Sequence, residues 1–182
     1  MKKILTLCMA VMTAVTMSAK GLEASAGLVG GLGIGIQGKI MFTENMGIMD
    51  ELGYFMNLDG GTAKKYGMSA YAGLINSTMF VYQRPITETT GMRVDWYAGG
   101  QAKIGWCPIA GWEQLVHMGM FGLGAGGGIE LKMKSAPIAA SFDFRPGWAM
   151  LFTEQGVGTH MFDYSFNLGV RYVIPTGGNK KK

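Results

Sequence analysis

Alternation of apolar and polar side chains is the feature that most restricts the folds open to this sequence. Between Arg93 and Trp106 every charge falls on an odd position, while the even positions are apolar or small. Residues 138–148 and 162–174 alternate in the same way, and the charges of each segment again share one face. Because successive side chains of a β-strand point to opposite sides, this period predicts strands with one apolar and one polar face.

Four further segments alternate more weakly, namely residues 28–42, 46–57, 66–80 and 114–133. Clusters of turn-forming residues separate the segments, which gives seven visible strands. A bacterial single-chain barrel has an even number of strands, so we predict eight strands and expect one to be concealed. The position of that strand stays open, and with it which connections face outward.

The content of the two faces indicates which of them faces lipid. Gly, Ser and Asn accompany the charges on one face, whereas Trp, Phe, Leu and Ile fill the other. An eight-stranded barrel has little interior room, so the bulky apolar face belongs outside. Charged residues make up only 15% of the chain, against roughly 25% in soluble domains. The sequence therefore predicts an all-β protein, a closed antiparallel transmembrane β-barrel surrounded by the lipid of a bacterial outer membrane.

The charges of the polar face come close to balancing one another. The basic members are Lys39, Arg93, Lys103, Lys132, Arg145 and Arg171, and the acidic members are Glu51, Asp95, Glu130, Asp143 and Asp163. Unpaired buried charges are costly, so we predict a hydrogen-bonded ion network in the lumen. Such a filled lumen leaves no pore of the kind found in a general porin.

The N-terminus has the pattern of a secretory signal peptide. Lys2 and Lys3 precede an apolar run over residues 4–17, and small residues follow. Cleavage is expected after Ala19 or after Ala26. The predicted boundaries are residues 1–26 for the signal peptide, 27–174 for the barrel and 175–182 for a disordered basic tail.

Residues that could carry chemistry are few. Cys107 is the only cysteine after the predicted signal, so we expect neither an intramolecular disulfide nor a thiolate metal site. The terminal lysines supply five of the sixteen basic residues, and no basic patch remains to indicate nucleic acid. Nothing places His117 or His160 beside a particular serine. We therefore predict no catalytic residue, no metal and no cofactor.

Three runs in the C-terminal half resemble a known family. They are Asp95–Gly100, Gly127–Lys132 and Ala136–Pro146, and the similarity extends over residues 93–174. These runs resemble the small outer-membrane β-barrel proteins common in Bacteroidetes-type Gram-negative bacteria. The resemblance implies the fold and the location, and most members of the family carry no established activity.

The last predicted strand also resembles the terminal assembly signal of such barrels, through Asn167, Gly169, Tyr172 and Ile174. The resemblance implies recognition by the barrel-assembly machinery during insertion. Family members usually stop at the last hydrophobic residue, whereas residues 175–182 follow it here.

Three functions stay open at this point. The main hypothesis is a non-enzymatic barrel with a structural or interaction role. The alternatives are a membrane-embedded lipid A-modifying enzyme and a secreted soluble β-barrel that binds an apolar ligand in its interior.

Overall fold

The computed structural model describes residues 23–31, 33–57, 71–110, 115–153 and 156–174. They form a closed antiparallel barrel of eight strands, in which each strand pairs with the next and the last pairs with the first. The strands are β1 Glu23–Gly30, β2 Gly33–Met41, β3 Met46–Asn57, β4 Tyr71–Glu88, β5 Met92–Ala110, β6 Leu115–Met133, β7 Ile138–Thr153 and β8 Gly156–Ile174. The predicted eight-stranded barrel is confirmed. Within these segments, no helix is long and apolar enough to cross a membrane.

The concealed strand is β1, of which residues 28–30 fall within the predicted segment 28–42 and residues 23–27 precede it. Gly30 pairs with Ile34, and Ser25 pairs with Lys39. In this register odd positions pair with odd positions and even with even, so the alternation continues unchanged across the turn. At this turn, a Cβ on Gly31 would collide with the carbonyl oxygen of Phe166. Glycine is required there by the close approach of β8.

The barrel begins at Glu23, four residues before the predicted boundary at residue 27. Residues 24–26 pair with β2 on one side and with β8 on the other. The small residues that resemble a cleavage motif are thus strand residues, and cleavage after Ala26 would remove half of β1. Cleavage after Ala19 leaves β1 intact. The signal peptide before residue 23 and the basic tail after residue 174 lie outside the described residues.

β4 extends well beyond the predicted segment of residues 66–80 and ends at Glu88. Pro85 lies within it, and the register against β5 shifts between Pro85 and Thr87. Proline cannot donate to the ladder, so it is accommodated where the pairing is irregular. From the sequence alone, Pro85 indicates the end of a strand. In the structure it lies within β4, at a β-bulge.

The barrel turns its apolar side chains outward. Leu28, Ile34, Phe162 and Leu168 are each at least 65% exposed, whereas Lys39 is 1% exposed. A water-soluble barrel places its apolar residues inside, so this arrangement excludes the soluble alternative. The apolar outer surface is therefore suited to contact with lipid and not with water.

Candidate functional site

The two ends of the barrel differ in their connections. Both ends of the described chain, Glu23 and Ile174, lie at one end together with the connections over residues 42–45, 89–91 and 134–137. We call this the terminal end. The opposite end carries the remaining connections, of which residues 58–70 form the longest.

A carboxylate buried near the terminal end gathers three cations. Glu130 is 1% exposed and accepts a hydrogen bond from Lys39 Nζ at 2.9 Å. Arg171 Nη2 donates to the same carboxylate oxygen, and Lys132 Nζ lies 3.3 Å from the other. Lys39 also donates to the Gln83 side chain. Glu130 is therefore the centre of what we call the terminal network.

Asp95 extends this network toward the mouth of the barrel. It accepts hydrogen bonds from Gln83 Nε2 at 2.5 Å and from Arg93 Nε at 2.6 Å. Lys132 Nζ lies 3.5 Å from Asp95 and 2.5 Å from Glu23 at the start of β1. The carboxylates and cations thus form one continuous chain of contacts.

A second, central network surrounds Asp143. Arg145 donates from Nε and Nη2 to the two Asp143 oxygens at 2.7 and 2.9 Å, and from Nη1 to Glu51 at 3.0 Å. Tyr97 Oη donates to Asp143 at 2.7 Å, and Asn167 Nδ2 donates to it at 2.8 Å. Asp143 is only 1% exposed, so these contacts replace its hydration.

The interior becomes less polar toward the opposite end. Lys103 Nζ donates to Asp163 at 2.6 Å, and Asp163 keeps 24% of its side-chain exposure. Beyond this pair the interior is filled by an apolar cluster of Met118, Met120, Ala149 and Leu151, with Ile75 and Met161 packed against it.

The eleven predicted lumen charges all lie in these networks and pairs. The structure adds Glu23, so within the described strands the interior pairs six basic with six acidic side chains. Sequence reasoning missed Glu23 because it fell within the predicted signal peptide, and missed Gln83 because the predicted strand ended before it. Arg145, Arg171 and Tyr97 are the three largest fully buried side chains, and all three lie in the lumen.

The residues considered for catalysis lie elsewhere. His117 stacks on Trp106 with ring centroids 5.5 Å apart, and His160 stacks on Trp148 at 5.2 Å. Both imidazoles are on the exposed outer face toward the opposite end. The side chain of Cys107 is outside the described residues. Within the described segments, no group of three or more His, Cys, Asp or Glu side chains is arranged to hold a metal ion.

The residues of the predicted assembly signal occupy the last part of β8. Asn167 and Gly169 are buried on its inner face, whereas Tyr172 and Ile174 are exposed on the outer face. The same strand closes the barrel against β1.

Exposed aromatic residues form a ring near each end of the apolar surface. Near the terminal end, Tyr82 packs edge-on against Trp96 with centroids 5.9 Å apart, and Tyr172 is exposed at the same end on β8, across the barrel from that pair. Toward the opposite end the exposed aromatic side chains include Tyr54, Trp106, Trp148, Phe162 and Tyr164. Rings of this kind lie at the two interfaces of a membrane-spanning barrel.

No protein-family model matches this chain, and no curated protein matches it. Several solved structures do match this chain. The N-terminal β-barrel domain of Pseudomonas aeruginosa OprF matches with a TM-score of 0.53 and 14% identity, over 84% of this chain and 96% of that one. A major outer membrane protein from Thermus thermophilus matches with a TM-score of 0.47 and 14% identity, over 84% and 97% of the two chains. Neisserial surface protein A matches with a TM-score of 0.46 and 12% identity, over 83% and 94%.

The likeness to the OprF domain establishes the fold alone. The surface of this chain indicates its location, because an apolar belt bounded by aromatic rings encloses a lumen lined by charged side chains. Such a belt is typical of a surface in contact with lipid, and a closed barrel satisfies all strand hydrogen bonds within it. The protein is an outer-membrane β-barrel protein.

Proposed function

We propose that this protein is a non-conducting outer-membrane barrel with a structural or interaction role, not a general porin. The observation that carries the proposal is the lumen, in which Lys39 and Arg171 both donate to Glu130 and each of the three side chains is at most 1% exposed. A porin keeps a water-filled channel at this position. Side chains occupy that space here, so the barrel offers surfaces to partners and not a path to solutes.

We also propose a family for this chain and a route for its insertion into the membrane. The runs Asp95–Gly100, Gly127–Lys132 and Ala136–Pro146 support membership of the small Bacteroidetes-type barrels. The terminal pattern from Asn167 to Ile174 supports recognition of β8 by the barrel-assembly machinery.

The proposed orientation places the terminal end in the periplasm. Both described chain ends lie there with three connections of three or four residues, whereas residues 58–70 connect strands at the opposite end. Outer-membrane barrels have short periplasmic turns and longer extracellular loops. The opposite end of the barrel would then face the cell exterior.

Planar-bilayer conductance of the purified full-length protein tests this proposal, with a porin reconstituted in parallel as the positive control. We expect no stable channel steps from the wild-type protein. Steady channels of porin size would contradict the closed lumen.

We further propose that the protein has no enzymatic activity on lipid A. The support is the position of the two histidines, which stack on Trp106 and Trp148 in the aromatic ring. Lipid A from a deletion strain should keep the parental acylation pattern, and a changed pattern would favour the enzyme.

A further inference from the structure

One carboxylate of the barrel wall points away from the lumen. On β3, Met49 is 1% exposed inside the barrel and Glu51 reaches Arg145 in the central network. Asp50 lies between them and therefore projects from the outer face, where Ile48 and Leu52 flank it. An ionisable residue that faces lipid is expensive and is by default a functional candidate.

Asp50 lies near the middle of the apolar belt. It is four residues from Met46, which pairs with Tyr82 of the aromatic ring at the terminal end. It is also four residues from Tyr54, which belongs to the opposite ring. At about 3.3 Å per residue and a tilt of roughly 40°, each ring is about 10 Å away along the membrane normal. Lipid headgroups at the interfaces are beyond its reach.

The contacts of Asp50 within the chain come from neutral groups. Thr78 Oγ1 donates to Oδ1 at 2.6 Å, and Asn76 Nδ2 lies 3.2 Å from both carboxylate oxygens. Asn76 Nδ2 also donates to the Glu51 carbonyl oxygen at 3.1 Å. These bonds hold the carboxylate in place, but they add no positive charge. Among the described residues, no Lys or Arg forms an ion pair with it.

What these three side chains still offer to a partner is hydrogen-bond acceptors. The donors of Asn76 and Thr78 are already directed at Asp50 and the backbone. The carboxylate has free lone pairs, and so do the Asn76 carbonyl and the Thr78 hydroxyl. A partner that complements this surface must supply N–H donors and positive charge.

The residues of the barrel wall beside these three are small, so the backbone of a partner can approach closely. Gly38 pairs with Asp50 from β2, and Ala102 pairs with Thr78 from β5. Gly100 follows on the same outer face of β5 and pairs with Ala125 of β6. Small residues let backbones approach closely within a membrane, which strengthens packing and polar contacts.

We propose that the outer face around Asp50, Asn76 and Thr78 binds a membrane-spanning protein segment that carries a Lys or Arg side chain at mid-bilayer depth. The inference rests on the interaction role proposed above and names the chemistry of the partner. Acyl chains have no donors, so lipid does not complement this surface.

A second copy of the chain complements the surface poorly. Two copies related by an axis along the membrane normal keep their residues at equal depth, so acceptors would meet acceptors. Arg84 is exposed on β4, but it lies six residues beyond Thr78 toward the terminal end. That separation is about 15 Å along the membrane normal, too far for contact at the depth of Asp50.

The test uses the full-length protein in phosphatidylcholine vesicles and a labelled synthetic transmembrane helix as the probe. The helix is Leu-rich with one central Lys, and the matched control helix has Leu at that position. We expect energy transfer from the barrel to show about tenfold tighter binding of the Lys helix. The triple variant Asp50→Leu, Asn76→Leu, Thr78→Val should bind both helices equally. Phe144→Leu, on the far side of the outer surface, should still discriminate between them.

Equal binding of the two helices to the wild-type protein would overturn the proposal. So would discrimination that survives in the triple variant. Self-association of the barrel without a probe, lost in the triple variant, would assign the surface to a second copy instead. Heat-modifiable gel migration verifies that each variant is folded. Conductance of the same vesicles tests the closed lumen separately, so the failure of one proposal is distinguishable from the failure of the other.

Discussion

The lumen and the outer face of this barrel each hold carboxylates at membrane depth, and they compensate them differently. Inside, Glu130 is contacted by Lys39, Lys132 and Arg171. Outside, among the described residues, the Asp50 carboxylate accepts side-chain hydrogen bonds only from Asn76 and Thr78. The lumen charge is neutralised within one chain, whereas the outer charge is left to its surroundings. The difference indicates that the charges in the lumen are compensated within the chain, whereas the charge of Asp50 on the outer surface is not.

The largest effect is expected when the lumen loses its central carboxylate. Glu130→Gln leaves two buried cations and the partly buried Lys132 around a neutral group, and breaking a buried ion network of this kind costs about 3–5 kcal/mol. Urea unfolding in vesicles, followed by tryptophan fluorescence, measures the loss of free energy. The matched control is Glu88→Gln, whose exposed pair with Lys134 spans 2.8 Å. The control should lose much less, because an exposed ion pair is screened by water and contributes little to stability. Equal losses in the two variants would show that the terminal network is not stabilising.

A smaller loss is expected at the Lys103–Asp163 pair. Asp163 keeps 24% of its side-chain exposure, so water can hydrate it once Lys103 is gone. Lys103→Met should lower the free energy of unfolding by about 1–3 kcal/mol in the same assay. A loss as large as that of Glu130→Gln would mean that both pairs are equally shielded from water.

Removal of the outer polar group should change stability in the opposite direction. Without a partner, the triple variant Asp50→Leu, Asn76→Leu, Thr78→Val replaces a lipid-facing carboxylate with apolar side chains. We expect the free energy of unfolding to rise by about 1–2 kcal/mol, since charge on the lipid face is unfavourable. Asp50→Asn alone keeps the polar contacts and should gain less. A loss of stability in the triple variant would give the outer group a structural role like that of the lumen network.

The smallest effect on stability is expected from cysteines that report the two faces. Gln101 is 5% exposed inside the barrel, and its neighbour Ala102 is exposed outside. Ala102→Cys should change stability by no more than about 0.5 kcal/mol and should react with a lipid-confined thiol probe. Gln101→Cys should be shielded from that probe. The reverse labelling pattern would place lipid against the polar face.

Period-two alternation, together with the content of the two faces and the even number of strands in such barrels, predicts the fold, because the faces of a strand are a local property of the sequence. The hairpin between β1 and β2 escapes prediction because its pairing keeps odd positions with odd positions across Gly31. The contacts in the lumen could not be predicted at all, since they depend on the register around the whole barrel. Lys39 and Glu130, for example, are 91 residues apart.

The outer site does leave a trace in the sequence. Asp50 and Glu51 are adjacent in a strand, so their side chains must point to opposite faces. Assigning Glu51 to the lumen therefore leaves Asp50 on the lipid side. The weak alternation of residues 46–57 hides this consequence, because a charge on the apolar face looks like noise in the pattern.

The position of Arg171 restricts how the barrel can be assembled. It lies on β8, the last strand of the barrel, and bonds to Gln37 on β2 and to Glu130 on β6. A half-built barrel that lacks β8 has neither contact, so its nascent interior stays polar and hydrated. Hydrocarbon disfavours a polar, hydrated surface, so we expect entry into the bilayer to be coupled to arrival of the final strand. A chain stalled before that step would wait at the membrane surface, not inside it.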